Sequence, residues 1–418
     1  GLVGSEMCIR DRKYTGTDSY NGANSIYPSN IRLSNLQWEE KETWNVGFDL
    51  GLFNNMITAD FNIYTQMTSK LLMRDVKLPS SSGFSSLSWT NVGKMRNNGW
   101  EFNVNGTDVV KVGKFRLGFN VTFANNKNEI VEMDPTALSS LNKDFDNKNG
   151  SYLTRIQLNN PFGAIYGFRY KGVYQYSDYS DVEVPGVSGP NAPVARDENG
   201  NVIRDKAGFT IPMVFGYDKT TNTELYEFQG GDAIYEDINH DGNINELDIV
   251  YLGSSLPKIT GGWGLKFSYG RWSLNAQFNF RVGNKVINEA RMNAESMYNN
   301  NNQAASVNWR WRTEGQLAEI PRALYNKGFN YLGSDRFVED ASFMRLNYLS
   351  LGYSLNPKLL RRIGVTSLSI NLNASNLFCL TNYSGADPEV SYGGMNVATD
   401  GAKTPRSRQF TARVQIGF

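Results

Sequence analysis

Asp237, Asn239, Asp241, Asn243, Asn245 and Asp248 place oxygen-bearing side chains along one short loop, with Gly242 in their midst. Asp237, Asn239 and Asp241 take alternate places, and Gly242 sits where such a loop turns sharply. Asn243 offers a backbone carbonyl, Asn245 stands where a water is often held, and Asp248 closes the loop. Hard oxygen ligands gathered from one segment are what Ca²⁺ requires, and this is the spacing of an EF-hand loop. The closing ligand is Asp rather than Glu, which makes two-oxygen capture there less assured, and no strong helix-forming run flanks the loop. The same Asx residues bond their own backbone in metal-free turns. Two readings follow: a structural Ca²⁺ site at Asp237, Asn239, Asp241, Asn243 and Asp248, or an Asx-rich turn. His240, the single histidine, falls at the outward-pointing fourth place.

Little else in the chain can make or break bonds. With one His and two Cys (Cys8 and Cys379), zinc sites and Cys- or Ser-His nucleophiles have almost no raw material. No pair of carboxyls marks a glycosidase, so no enzyme is expected. Lys plus Arg is 42 and Asp plus Glu is 41, which leaves no basic field for nucleic acid. Asp197, Glu198, Asn199 and Gly200 read as a hairpin turn, because Asn-Gly suits positive φ. Trp309, Arg310, Trp311 and Arg312 read as a packed loop or an interfacial aromatic girdle, with stacking on a sugar as the alternative.

The elements that position these residues are strands. Aromatics make up 13% of the chain and there are 40 glycines, so strand formers and turn formers are abundant together. Alternation is clean: Trp272, Leu274, Ala276, Phe278 and Phe280 share one face, and Ser273, Asn275, Gln277, Asn279 and Arg281 the other. Trp263, Leu265, Phe267 and Tyr269 alternate in the same way, as do Phe115, Leu117, Phe119, Val121 and Phe123. Many of the runs reach about nine to eleven residues, the length a tilted strand needs to cross a bilayer. The apolar runs are far too short for a spanning helix of about 20 residues.

We read about eleven antiparallel strands in this pattern, at 43–52, 56–65, 99–107, 115–124, 151–158, 164–174, 258–269, 272–281, 343–354, 367–375 and 409–418. Short connections (53–55, 108–114, 159–163, 270–271, 355–366) alternate with long ones (66–98, 125–150, 175–257, 282–342, 376–408). Tight turns at one rim and long loops at the other are the plan of an outer-membrane β-barrel. Phe410, Ala412, Val414, Ile416 and Phe418 form a last amphipathic strand ending on Phe, which resembles an assembly signal of such barrels. An odd count ending in the periplasm implies further barrel strands upstream. Residues 1–12, GLVGSEMCIRDR, resemble translated sequencing-adapter readthrough and are set aside, leaving 13–418 as barrel with long extracellular loops that include 175–257.

Several stretches carry a more specific likeness. They are Leu36, Gln37, Trp38 and Glu39 with Trp44, Asn45, Val46, Gly47, Phe48 and Asp49; Gly51, Leu52, Phe53, Asn54 and Asn55; Asn91, Val92 and Gly93 with Asn98, Gly99, Trp100 and Glu101. Gly231 and Asp232 through Gly253 continue it, then Arg310 and Trp311, and Asp340 to Leu346. Asn376, Leu377 and Phe378, and Thr381 through Asp387, Pro388 and Glu389, complete it. In order and spacing the set resembles SusC/RagA-type TonB-linked outer-membrane transporters of Bacteroidetes.

The resemblance implies an integral outer-membrane protein, the C-terminal half of a barrel of about 22 strands with a plug in its lumen. It implies TonB-dependent import of a glycan or peptide nutrient beneath a SusD-like lipoprotein lid, with TonB engaged through the plug region. A diffusion porin and a soluble, Ca²⁺-stabilised glycan-binding β protein are the rival functions. No residue pattern names the cargo.

Overall fold

Alternating apolar and polar residues can bury one strand face only if neighbouring strands keep the same register, and here they do. In the computed structural model nine strands form one antiparallel sheet: β1 (Glu40–Leu52), β2 (Ile57–Ser69), β3 (Gly93–Val112), β4 (Phe115–Met133), β5 (Ile259–Tyr269), β6 (Trp272–Val282), β7 (Phe343–Ser354), β8 (Ser367–Thr381) and β9 (Gln409–Gly417). Each pairs with its neighbour in the sequence. The structure describes residues 11–16, 19–20, 23–24, 26–78, 80–142, 145–146, 148–153, 155–176, 193–216, 226–360, 364–390 and 397–418. Most of the segment 1–12, with Cys8, lies outside them.

Register fixes the two faces. One row runs Val121, Trp263, Phe278, Leu346, Phe378, and another runs Leu117, Phe267, Leu274, Leu351, Leu372, Ala412. The opposite face carries Asn120, Gly264, Gln277 and Tyr348, and then Arg116, Ser268, Ser273, Gly352, Asn371 and Arg413. Trp263 and Phe278 stack with ring centroids 4.0 Å apart and planes 7° from parallel. On the polar face Gln277 Nε2 donates to Asn120 Oδ1 at 2.9 Å, directly over Gly264. A Cβ at Gly264 would lie 2.2 Å from that nitrogen, so only glycine lets the two amides meet. Trp263, Phe267, Leu274, Phe278, Phe119, Val414 and Ile416 thus share the apolar face, opposite Asn275, Gln277, Arg116 and Arg413.

Strand number is a correction. Of the eleven segments, 151–158 and 164–174 are not in the sheet, because β4 pairs directly with β5 from Phe115↔Tyr269 to Ala124↔Thr260. Residues 164–174 hold two short strands instead: Ala164–Gly167, paired with Val250–Ser254, and Tyr170–Val173, paired with Ala233–Tyr235. The physical reason is burial. Ala164, Ile165, Tyr166, Gly167 and Phe168 are buried one after another, so this strand is covered on both faces rather than wet on one. The connection at 159–163 is then no rim turn; of the expected loop 125–150, residues 125–133 belong to β4, and the rest falls with 175–257 in one long connection, 134–258.

The plan of alternating short and long connections survives. Turns at 53–56, 113–114, 270–271 and 355–366 lie at one rim, and connections 70–92, 134–258, 283–342 and 382–408 at the other. β3 and β4 also run past the expected ends toward the long loops. There Arg96 pairs with Glu129 at 3.0 Å and Lys94 with Glu132 at 2.6 Å, and alternation stops where polar residues occupy both faces. The largest buried core lies in the connections, where Phe145, Tyr166, Phe168, Phe215, Phe228, Tyr235, Ile244 and Leu332 join 134–258 to 283–342.

Candidate functional site

The loop from Asp237 to Asp248 folds on its own backbone. Asp237 accepts from the amides of Asp241 (3.3 Å) and Gly242 (2.8 Å), and Asp241 accepts from the amide of Asn243 (2.8 Å) and from Asn239 Nδ2 (3.1 Å). Asn239 Oδ1 accepts a further bond from the Asp241 amide. Gly242 stands at φ +80° with Ala195 beneath it, so a side chain there would be strained and would clash.

Asp248 is wholly buried and accepts from the amides of Ile238 (2.8 Å) and Asn245 (2.9 Å), while Asn245 caps the following turn through the Leu247 amide. Burial first, and then the charges of Asp237 and Asp241, push its carboxyl up to about 6. The Asn243 Oδ1 atom is buried without a hydrogen-bond partner. Among the described residues no three His, Cys, Asp or Glu side chains converge as a metal-holding group. His240 turns away from the carboxylates to Arg196 O, 3.2 Å from its Nδ1.

The loop rests on a feature the sequence reading passed over. Arg196, Asp197 and Gly200 recur eight residues later as Arg204, Asp205 and Gly208, and the geometry recurs with them. Each arginine donates to its glycine carbonyl at 2.9 Å, and each aspartate collects two backbone amides. The Asp197 turn expected from Asn-Gly is therefore one of a matched pair. Ala195, Ile203 and Ile211 link the turns through a closed ring of backbone hydrogen bonds.

Two ion-pair systems hold the long connections to each other and to the sheet. Asp232, with no exposure, receives Arg322 Nε at 2.7 Å, the Tyr226 hydroxyl at 2.7 Å and Asn330 Nδ2 at 3.3 Å. Burial, and then the Asp232 charge, push the Tyr226 phenol well above its usual range. On the polar face of β7, Arg345 meets Asp387 at 2.5 Å, which folds 382–408 against the sheet, and within that connection Arg406 meets Glu389 at 2.7 Å. Asp232 and Arg345 both lie within the stretches that carried the family likeness, but their partners are too distant in sequence to have been paired by eye.

The Trp309 to Arg312 segment divides by burial. Trp311 is 5% exposed, donates to Gln175 Oε1 at 3.1 Å and meets Tyr176 edge-on, whereas Trp309 is 79% exposed. Trp309 lies with Tyr170, Arg291, Glu295, Leu317 and Arg336 around a cavity of about 650 Å³. Glu295 on its floor receives Arg336 at 2.7 Å and Arg291 at 3.2 Å. The arrangement offers surface and charge for holding a ligand.

Known proteins share this plan. The family described as TonB dependent receptor-like, beta-barrel matches residues 12–211. TonB-dependent receptor P39 of Formosa agariphila is 27% identical over 414 residues, 96% of this chain and 37% of the relative. TonB-dependent receptor SusC of Bacteroides thetaiotaomicron is 24% identical over 92% of this chain and 32% of its own length. The solved RagAB peptide transporter superposes with a TM-score of 0.69 at 24% identity, over 98% of this chain and 39% of that chain, a likeness of fold. The chain spans about a third of the length of the curated relatives it matches.

Proposed function

We infer the function from two facts together: this chain belongs to the TonB-dependent receptor β-barrels of SusC/RagA type, integral to the outer membrane, and its long connections build one packed body at a single rim. The reading is active import of a nutrient too large for simple pores, with this chain supplying barrel wall and extracellular loops. Cargo would be a glycan or a peptide, a SusD-like lipoprotein would seat on the loop body, and TonB would act through the plug region of the whole transporter. The observation that carries this is the sheet whose every long connection leaves from one rim, joined there by a buried aromatic core. A diffusion pore has less use for so tightly packed a mouth.

Uptake of labelled oligosaccharides and peptides by cells carrying the whole transporter, with and without working TonB, tests the reading. Import lost with TonB supports it. Import that persists would make the protein a porin, and a protein that leaves the membrane without detergent would be the soluble alternative.

For the loop at 237–248 we propose a structural Ca²⁺, held by Asp237, Asn239, Asp241 and Asp248 with the Asn243 carbonyl. Support comes from the donor set and from the Asp248 carboxylate, buried beside two like charges, with no ion pair to any of the three among the described residues. A bound cation would supply the missing positive charge and order a long loop at the barrel mouth.

A further inference from the structure

Charge is distributed unevenly between the two rims. Among the described residues, many cations on the loop side are met by carboxylates, among them Lys70 by Glu40, Lys94 by Glu132, Arg96 by Glu129, Lys171 by Glu236 and Lys285 by Asp340. At the turn rim the single described ion pair is Arg116 with Asp108. Lys114, Arg271 and Lys358, one in each of three successive turns, have no carboxylate partner among the described ion pairs.

The sheet sets the three turns that carry these cations side by side. The Gly270 amide donates to Lys114 O at 3.2 Å, and the Ser354 amide to Arg271 O at 3.0 Å, so each turn is tied to the next. The Lys114 stem reaches across to Gly270. Immediately inside the turns, register aligns Phe115, Tyr269, Trp272 and Tyr353 in one row on the apolar face, with Trp272 and Tyr353 rings 4.6 Å apart. Tyr269 is 62% and Trp272 51% exposed. Amphipathic aromatics in such a row mark the level of lipid headgroups.

We propose that Lys114, Arg271 and Lys358, just beyond this aromatic row, form a binding surface for anionic phospholipid headgroups of the periplasmic leaflet. The inference rests on the outer-membrane barrel reading, which assigns short turns to the periplasm. Unpaired cations at the headgroup level attract a diacyl phosphate whose tails lie along the apolar strands. A free anion would have the charge and lack the tails, so it would not gain from the aromatic row. Each cation near a charged membrane surface contributes about a five-fold preference.

The test places the whole transporter in nanodiscs of phosphatidylglycerol and phosphatidylethanolamine, extracts it gently and weighs the retained lipids by native mass spectrometry. Phosphatidylglycerol should be enriched at least about five-fold over its bulk share, and less so as salt rises and screens the charges. Lys114→Gln with Arg271→Gln and Lys358→Gln should abolish the enrichment. Lys206→Gln with Lys327→Gln and Lys403→Gln, the same charge change on the loop side, should leave it intact.

Inorganic phosphate at constant ionic strength should displace nothing, and displacement would reassign the surface to free anions. No enrichment in the unaltered protein, salt-independent enrichment, or enrichment that survives the turn variant overturns the proposal. Salt dependence is read on the unaltered protein and so does not rely on the variant assembling. A protein that never enters the nanodisc overturns the barrel reading instead.

Discussion

Arg322 Nε lies 2.7 Å from Asp232 Oδ1, with a second contact at 3.2 Å from its Nη2 to Oδ2, and this pair joins the two longest connections of the molecule. Asp232 is fully buried, so its partner cannot be replaced by water. Removing one member of such a pair leaves an uncompensated buried charge and costs about 3–5 kcal/mol. Arg322→Ala should therefore release the loop body to protease at low enzyme concentrations, while the barrel keeps its heat-modifiable mobility on gels. A variant as resistant as the parent would show that the aromatic core alone holds the two connections together.

The two faces of the sheet make opposite demands on charge. Phe278 is stacked on Trp263 in the apolar row, and Asn275 lies on the polar face. Phe278→Arg should cost about 2–4 kcal/mol near the middle of the membrane, on top of the lost stack. Asn275→Arg should assemble almost as well as the parent. Folding yield into vesicles, measured for both, checks the assignment, and the reverse order would invert the register.

The alternation of 43–52, 115–124 and 272–281 was legible because lipid on one side and a polar lumen on the other write a period of two into the sequence. Residues 164–168 carry a continuous apolar run, the mark of a strand covered on both faces, and reading it as an alternating barrel strand produced one of the two surplus strands. β3 and β4 outran their expected ends for the related reason that beyond the lipid no face needs to be apolar. The Asx loop was legible as a turn with Gly242 at its sharp point. Asp232 with Arg322, and Arg345 with Asp387, were not, since nothing local links residues that far apart in the chain. The repeated Arg-Asp turns at Arg196 and Arg204 were visible in the sequence as an eight-residue recurrence.

Asp248 gives the loop a pH signature. Its carboxyl is raised to about 6 from an ordinary 3.8, by burial and then by Asp237 and Asp241. Between those values the folded loop holds more protons than the unfolded one, so its stability falls as pH rises through the window. In chelator, resistance of the loop to proteolysis should accordingly drop from pH 4 to pH 6. With Ca²⁺ present the charged carboxylate is favoured, and the trend should flatten or reverse. Asp241→Ala should remove the Ca²⁺ effect, and calorimetric titration of the whole transporter should then show no binding heat. Identical pH profiles with and without Ca²⁺ would reduce the motif to a turn.

Trp309 and Trp311 sit two residues apart and should respond differently to the same change. Trp311 packs against Gly231 and Tyr176 with its N–H bonded to Gln175, so Trp311→Ala opens a cavity and costs about 3–5 kcal/mol of loop-body stability. Trp309 is largely in solvent at the edge of the 650 Å³ cavity, and Trp309→Ala should shift stability by less than about 0.5 kcal/mol. An exposed indole beside a cavity has a role in contact rather than in folding, because its apolar area stays hydrated until something covers it. Cargo retention by the whole transporter should therefore weaken in Trp309→Ala, with the thermal midpoint of the loop body unchanged. If both variants melt alike and bind alike, the cavity is a packing feature of the loops and cargo is held elsewhere.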